Sequence, residues 1–279
     1  MGDRLPIGVS IRTIRADPTW WLESARRLDE AGYAGVWAWD HFMGRGDVTV
    51  PVVEGPTILA MAAGATRRIT VGTFVVNVVN RHPTVLARMA STLQIASRGR
   101  FILGMGIGGH PREHAAYGIQ FPDATERVAR LEEAVAVVRA LWTGGPVTRA
   151  SAFYPLADAV AYPIPDPAPP IVIGGETAAG ARLAARIGDG WSTFDDNFVD
   201  NLPLYLESLE ASGRTRADQT VLVGFQGDWL GDADIAETEW VREPRAAWDR
   251  WRERGANGAI VLARTTSDVD ALVEAVARW

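Results

Sequence analysis

The chain has 279 residues, 47% of them hydrophobic and 22% charged, a globular composition long enough to bury a full core without staples. It contains no cysteine and no lysine, all 28 basic residues being arginine, which excludes disulfides, thiolate nucleophiles, iron–sulfur clusters, Schiff-base lysines and P-loop lysines together. A net charge of −6 with no basic stripe argues against a nucleic-acid partner. No apolar run approaches the ~20 residues of a membrane span, and Met1-Gly2-Asp3-Arg4 opens no signal-peptide core, so the chain reads as cytoplasmic.

Short apolar runs alternate with helix-period segments throughout. The pattern predicts a strand over 7–11, a helix over 18–31 and a strand over 36–39 that stops at Asp40-His41-Phe42 before a loop with Gly44 and Gly46. A helix over 56–65, a β-branched strand over 69–76 and a helix over 83–96 opened by Pro83 follow. The fourth strand, 101–105, runs into Gly104, Gly106, Gly108 and Gly109, and the longest helix covers 124–142. The stretch 143–170 carries seven prolines and is too long for an ordinary loop, so it reads as an insertion packed on the rim of one domain spanning 1–279. The rhythm resumes with strands at 171–173, 190–193, 221–225 and 259–262. Helices alternate with them at 178–187, 200–212, 232–254 (interrupted near Pro244) and 268–277. Eight strand–helix units predict an α/β fold of the (β/α)8 TIM-barrel type, with the insertion after the fourth helix. An open doubly wound sheet would want a G-x-G-x-x-G loop after strand one, and Ser10-Ile11-Arg12-Thr13 offers none.

In such a barrel the chemistry sits at the C-terminal strand ends. These are Ser10 to Thr13, Asp40 to Phe42, Asn77, Gly106 to His110, Gly174 to Thr177, Thr193, Gln226 and Arg264. The set is rich in glycine and poor in charge, suited to a flat or phosphorylated ligand approaching backbone N–H groups. His41, leaving a strand end, is placed to exchange a proton near neutral pH; the plainer reading is a loop histidine behind an Asp40 cap. Gly174-Gly175-Glu176-Thr177 opens a helix and suits a phosphate, or is simply an N-cap. His110-Pro111-Arg112-Glu113-His114 matches H-x-x-E-H, but Pro111 and the preceding glycines put it across a helix start, so it reads as pocket edge and no metal is expected. Of the 11 tryptophans, Trp21, Trp142, Trp248 and Trp251 read as packing residues. Trp39, Trp191 and Trp229 are placed to wall a pocket for a planar ring.

Several segments together resemble the luciferase-like flavin and deazaflavin oxidoreductases. They are Gly35-Val36-Trp37-Ala38-Trp39-Asp40-His41-Phe42, Ala65-Thr66-Arg67-Arg68-Ile69-Thr70-Val71-Gly72-Thr73, His82-Pro83, Ser97-Arg98-Gly99-Arg100, Leu103-Gly104-Met105-Gly106-Ile107-Gly108, Pro169-Pro170-Ile171-Val172-Ile173-Gly174-Gly175 and Asp189-Gly190-Trp191. The resemblance implies a homodimeric barrel holding a tricyclic ring, backed by a bulge, often with a non-prolyl cis peptide, at Thr73-Phe74-Val75. It implies ring contacts from Asn77, Ile107 and Gly108, and a phosphate loop at Gly174, Gly175, Glu176 and Thr177. Asp40-His41 looks like the branch using coenzyme F420, in which His41 handles the proton of a small-molecule substrate. The family's sugar-phosphate dehydrogenases carry a glutamate where this sequence has Gly109, with Glu113 nearby. The alternatives within the same architecture are an FMN-dependent monooxygenase using reduced flavin and O2, and a member that binds cofactor without turnover.

Overall fold

The computed structural model describes residues 5–44, 47–225 and 234–279. The first four residues, Gly46, Gln226, Trp229 and the start of the 232–254 stretch, all singled out above, lie outside the described residues.

The chain runs β1 (Leu5–Ile11), α1 (Pro18–Ala31), β2 (Tyr33–Ala38), α2 (Gly55–Ala65), β3 (Thr70–Thr73), its continuation β4 (Val76–Asn77) and α3 (Pro83–Ala96). Next come β5 (Phe101–Gly106), a short α4 (Pro111–Ala116), the long α5 (Ala124–Leu141), the strands β6 (Val147–Arg149) and β7 (Leu156–Ala159), β8 (Ile171–Gly174) and α6 (Ala178–Ile187). The last third holds β9 (Gly190–Phe194), α7 (Asp195–Ala211), β10 (Thr220–Gly224), α8 (Glu239–Arg242), α9 (Pro244–Glu253), β11 (Gly258–Ala263) and α10 (Thr266–Ala275). β1, β2, β3, β5, β8, β9, β10 and β11 pair in parallel in that order, and β11 pairs back onto β1. The sheet therefore closes into the expected (β/α)8 barrel.

Local chemistry explains the boundaries. Asp17 caps α1 by accepting from the N–H groups of Thr19 and Trp20, Pro18 opens its first turn, and Gly32 ends it at φ 96°. Inside the barrel, Trp37, Val172, Leu222 and Ile260 form a small buried cluster. A Cβ on Gly8, Gly35 or Gly72 would lie 2.5, 2.9 or 2.2 Å from the Trp37 indole, so one large side chain accounts for three glycines on neighbouring strands. Between strands and helices lies the main apolar core, which includes the fully buried Trp21, Leu28, Leu86 and Phe101.

Asp29, buried near the end of α1, accepts from the N–H groups of Arg67, Arg68 and Ile69 at 2.8, 3.0 and 2.7 Å. It thereby ties α1 to the start of β3. Asp29→Ala leaves three donors without their acceptor and is expected to cost about 3 kcal/mol, read as a lower urea midpoint at unchanged slope; an unaltered midpoint would contradict this.

Some elements differ from the sequence expectation. The third strand is not continuous over 69–76 but breaks between β3 and β4 at Phe74-Val75. α7 starts five residues before Asp200 because β9 runs straight into it, with Asp195 and Asp196 in its first turn. α10 begins at Thr266, since Thr265 caps it and Asp268 completes a capping box. The segment 143–170 lies along the outer faces of α3 and α5. Arg88 donates to the carbonyls of Val160 and Tyr162, Gln94 to that of Pro167, and Glu133 accepts from the N–H groups of Ala152 and Phe153.

Candidate active site

A cavity of about 970 Å³ opens where the strands end. Trp39, Asp40 and His41 come from the end of β2, Phe74, Val75 and Asn77 from the β3–β4 break, and Gly106 to His110 with Glu113 and His114 from the end of β5 and α4. Gly174 to Thr177 come from the end of β8, and Ser192, Thr193 and Phe194 from β9. The residues expected to hold the coenzyme or move the proton all line this cavity except Thr73; of the other strand-end positions named above, Ser10 to Thr13, Phe42 and Arg264 do not.

Thr73 stands behind the wall. It is buried, its hydroxyl donates to the carbonyl of Gly104 and accepts from that residue's N–H, both at 2.8 Å. This pins the break to β5. The Phe74–Val75 peptide is cis, at the bulge anticipated above. Val75 projects over a glycine floor: a Cβ on Gly106 would meet its side chain at 2.6 Å, and one on Gly174 at 3.1 Å.

Asp40 is buried and its carboxylate is saturated. Arg81 reaches both oxygens at 2.8 and 2.7 Å, the Asn77 N–H donates at 2.9 Å and Asn80 Nδ2 at 3.1 Å. Arg81 also pairs with Glu54. Asp40 thus locks the turn from which His41 projects. Asn77 is equally committed: Oδ1 accepts from the Val79 N–H at 3.1 Å, and Nδ2 faces His114 Nε2 at 2.8 Å. Gly108, at φ 73°, passes so close to this amide that a Cβ would lie 2.2 Å from it, so position 108 admits only glycine.

His41 Nδ1 lies 3.2 Å from Glu113 Oε2. Glu113 is 3% exposed. Its burial opposes ionisation, but the hydrogen bond and charge of His41, with the N–H groups of Phe42 and Met43, outweigh that and hold its carboxyl below the usual range. With Nδ1–H donated to a carboxylate, Nε2 is left as the acceptor nitrogen. His110 packs edge-on against His41 at 4.7 Å between ring centroids. Burial first, and then His41 and His114, press its imidazole below the ordinary value. His114 Nδ1 faces the His110 carbonyl at 2.9 Å, and its Nε2 faces Asn77 and Asn80. The members of the H-x-x-E-H motif therefore serve different partners. Among the described residues no cluster of three or more metal-ligating side chains forms.

On the opposite wall Thr177 caps α6, accepting from the Gly180 N–H at 3.1 Å, which leaves the first amides of that helix to other partners. Trp191 does not wall the cavity: it is fully buried, donates from Nε1 to the Gly175 carbonyl at 2.8 Å and stacks on Tyr205. Burial pushes the Glu176 carboxyl up. The buried Thr193 hydroxyl, on the cavity wall, has no hydrogen-bond partner. The glycine cradle, the helix start and this unpartnered hydroxyl fit a flat ligand carrying an anionic end.

Sequence reasoning missed Arg182 and Arg186, which line the cavity with Ala179 and Leu183. Their spacing from 179 to 186 is one stripe of α6, a signal present in the sequence once the loop before it is assigned. Phe194 and Val128 were also missed.

A family model described as luciferase-like monooxygenase matches residues 7–264. An F420-dependent glucose-6-phosphate dehydrogenase from Kineococcus radiotolerans is 33% identical over 81% of this chain and 69% of its own. An F420-dependent hydroxymycolic acid dehydrogenase from Mycobacterium tuberculosis is 32% identical over 76% of this chain and 61% of its own. The structure of an F420-dependent secondary alcohol dehydrogenase in complex with an F420-acetone adduct superposes with a TM-score of 0.83 at 21% identity, covering 98% of this chain and 99% of the other. The barrel, its interrupted third strand and the matched span agree: this chain belongs to the luciferase-like monooxygenase family.

Proposed function

We propose that the chain is an oxidoreductase using coenzyme F420 to exchange a hydride with a small, uncharged alcohol or carbonyl compound. The observation that carries this reading is the His41–Glu113 pair, a proton-handling group facing a glycine-floored cavity. The F420-dependent relatives support the choice of coenzyme. Phe74, Val75, Asn77, Ile107 and Gly108 would hold its ring. Gly174, Gly175, Glu176 and Thr177, with the first amides of α6 and Arg182, would hold its phosphate. When bound, the coenzyme supplies a two-electron partner for hydride exchange.

The chain's own residues do the rest. His41 Nε2 takes the hydroxyl proton of an alcohol, or returns it to a carbonyl oxygen, while Glu113 steadies the ring through Nδ1. Trp39, Phe74, Ile107 and Phe194 exclude water from the reacting carbon. The cationic side chains among the described lining residues are Arg182 and Arg186, both on α6, and Arg186 pairs with Glu132 at 2.5 Å. Arg81, a described cation next to this wall, is spent on Asp40 and Glu54 and does not line the cavity, so the described lining offers a sugar phosphate no cation on the His41 side, hence an uncharged substrate. In the same reading the chain forms one domain over 1–279 with 143–170 inserted, is homodimeric and cytoplasmic, and binds no nucleic acid. Among the described residues no helix is long and apolar enough to cross a membrane.

The test is anaerobic mixing of purified protein, coenzyme F420 and a panel of short alcohols: the reading expects reduction of the coenzyme, and no reduction with any alcohol contradicts it. Glu113→Gln keeps the shape but removes the charge that orients His41. We expect kcat to fall on the order of tenfold to hundredfold, a fraction of the 10²–10⁴ typical of general-base catalysis, with coenzyme Kd unchanged; an undiminished kcat would contradict the pairing.

Glu176 gives a pH prediction. Its raised carboxyl pKa means that the folded chain holds the proton more tightly than the unfolded chain, so its ionisation becomes a cost as pH rises past the ordinary carboxylate range. The same charge repels an anionic ligand at the start of α6. Coenzyme affinity should therefore weaken as pH rises through this group's titration, and Glu176→Gln should flatten that dependence. An equal pH slope in both proteins would remove Glu176 from the phosphate site.

A further inference from the structure

A second pocket, of about 370 Å³, adjoins His41 and is lined by His41, Phe42, Val52, Glu54, Tyr117 and Ile119. His41 is the one residue it shares with the main cavity. We propose that this pocket is a substrate subsite that takes the apolar tail of an alcohol or carbonyl compound whose reacting carbon sits beside His41. The proposal rests on the function proposed above and adds the substrate class.

The polar groups of this pocket are already committed. Glu54 caps α2, accepting from the Thr57 N–H at 2.6 Å, and its other oxygen pairs with Arg81. Arg81 in turn is held by Asp40 and lies over the Phe42 ring. The Tyr117 hydroxyl donates to the Phe42 carbonyl at 2.8 Å, and the Tyr117 and Phe42 rings meet edge to face with centroids 5.9 Å apart. With the carboxylate neutralised and the phenol engaged, the pocket has little to offer a cation or a phosphate. What remains is the apolar surface of Val52, Phe42, Ile119 and the Tyr117 ring.

The walls are anchored. Val52 pairs with Ile14 in an antiparallel bridge, and the Val53 N–H donates to the Thr13 carbonyl at 2.9 Å, tying the segment to the loop after β1. The Ile119 N–H donates to the His114 carbonyl at 2.9 Å, tying the other wall to α4, which carries Glu113. The volume is on the order of ten waters, room for a chain of several carbons. In the reaction the carbinol C–H bond breaks with its hydride passing to the coenzyme, the hydroxyl proton passes to His41, and a C=O bond forms. The tail takes no part in the chemistry, so its burial shows as affinity and selectivity.

The experiment is a homologous series of secondary alcohols, lengthened from isopropanol by one methylene at a time, with coenzyme F420 as acceptor. Wild-type kcat/KM should rise about two- to fourfold per methylene until the pocket is filled. Val52→Asp and Ile119→Asp should bring that gain to about one per methylene, and Ile119→Ala should reduce it partway, giving a milder variant should a charged one fold poorly. Turnover of the series by wild type without a chain-length gain overturns the subsite and leaves the redox reading standing. A wild-type gain that persists in all three variants overturns the assignment to this pocket. Failure to reduce the coenzyme with any alcohol overturns the redox reading and the subsite with it.

Discussion

Replacing His41 with asparagine is expected to lower kcat by about 10²–10⁴-fold, the range for loss of a positioned general base, while coenzyme Kd hardly changes. The imidazole is held by a buried carboxylate at Nδ1 and projects from a turn that Asp40 locks through Arg81, Asn77 and Asn80. Asparagine preserves neither the second nitrogen nor its basicity. The surfaces assigned to the coenzyme, from Val75 across to Gly175, are built by other strands and do not lean on the ring. Kinetics and a binding titration on the same preparation separate the two quantities. An unchanged kcat would remove His41 from the mechanism, and a parallel loss of coenzyme affinity would make it a binding residue instead.

Gly175→Val is expected to act on binding first, raising coenzyme Kd by about 10- to 100-fold. A Cβ at this position would lie 2.7–2.8 Å from the backbone of Gly180, and backbone in the first turn of α6 cannot swing aside as a side chain can. The helix start must move off the loop, and each charge-assisted hydrogen bond lost there is worth about 1.5–3 kcal/mol. Trp191 holds the loop from behind through the Gly175 carbonyl, so the displacement cannot be absorbed on that side. At saturating coenzyme kcat should recover toward the parent value. Normal affinity in a folded variant would sink the phosphate-loop assignment.

The barrel was legible in the sequence because its eight strands are short apolar runs, several of them cut off by glycine, proline or a cap. Where cap and breaker residues were explicit, as at Asp17-Pro18 and Gly32, the helix boundaries came out as the structure has them. Where a strand passes directly into a helix, as at Phe194-Asp195, there was no punctuation to read and the helix start was placed late. The strand-end rule located the cavity wall, but it does not say which face a residue turns. Thr73 was placed in the bulge backing the ring, yet its hydroxyl points back to Gly104. Glu113 looked displaced when counted along the chain from Gly109. Those four positions are about one helical turn, and α4, which opens at Pro111, carries Glu113 to His41, a partner 72 residues away that no local spacing encodes. Trp191 illustrates the reverse error: an aromatic at a strand end was offered as a pocket wall and proved to be a buried brace.

The identity of the redox heterocycle that the cavity accepts is the most direct test. Purified protein titrated separately with coenzyme F420 and with FMN, followed by fluorescence, is predicted to bind the deazaflavin saturably and FMN far more weakly, with the preference carried by the loop from Gly174 to Thr177. Tight binding of FMN with none of coenzyme F420 would contradict it.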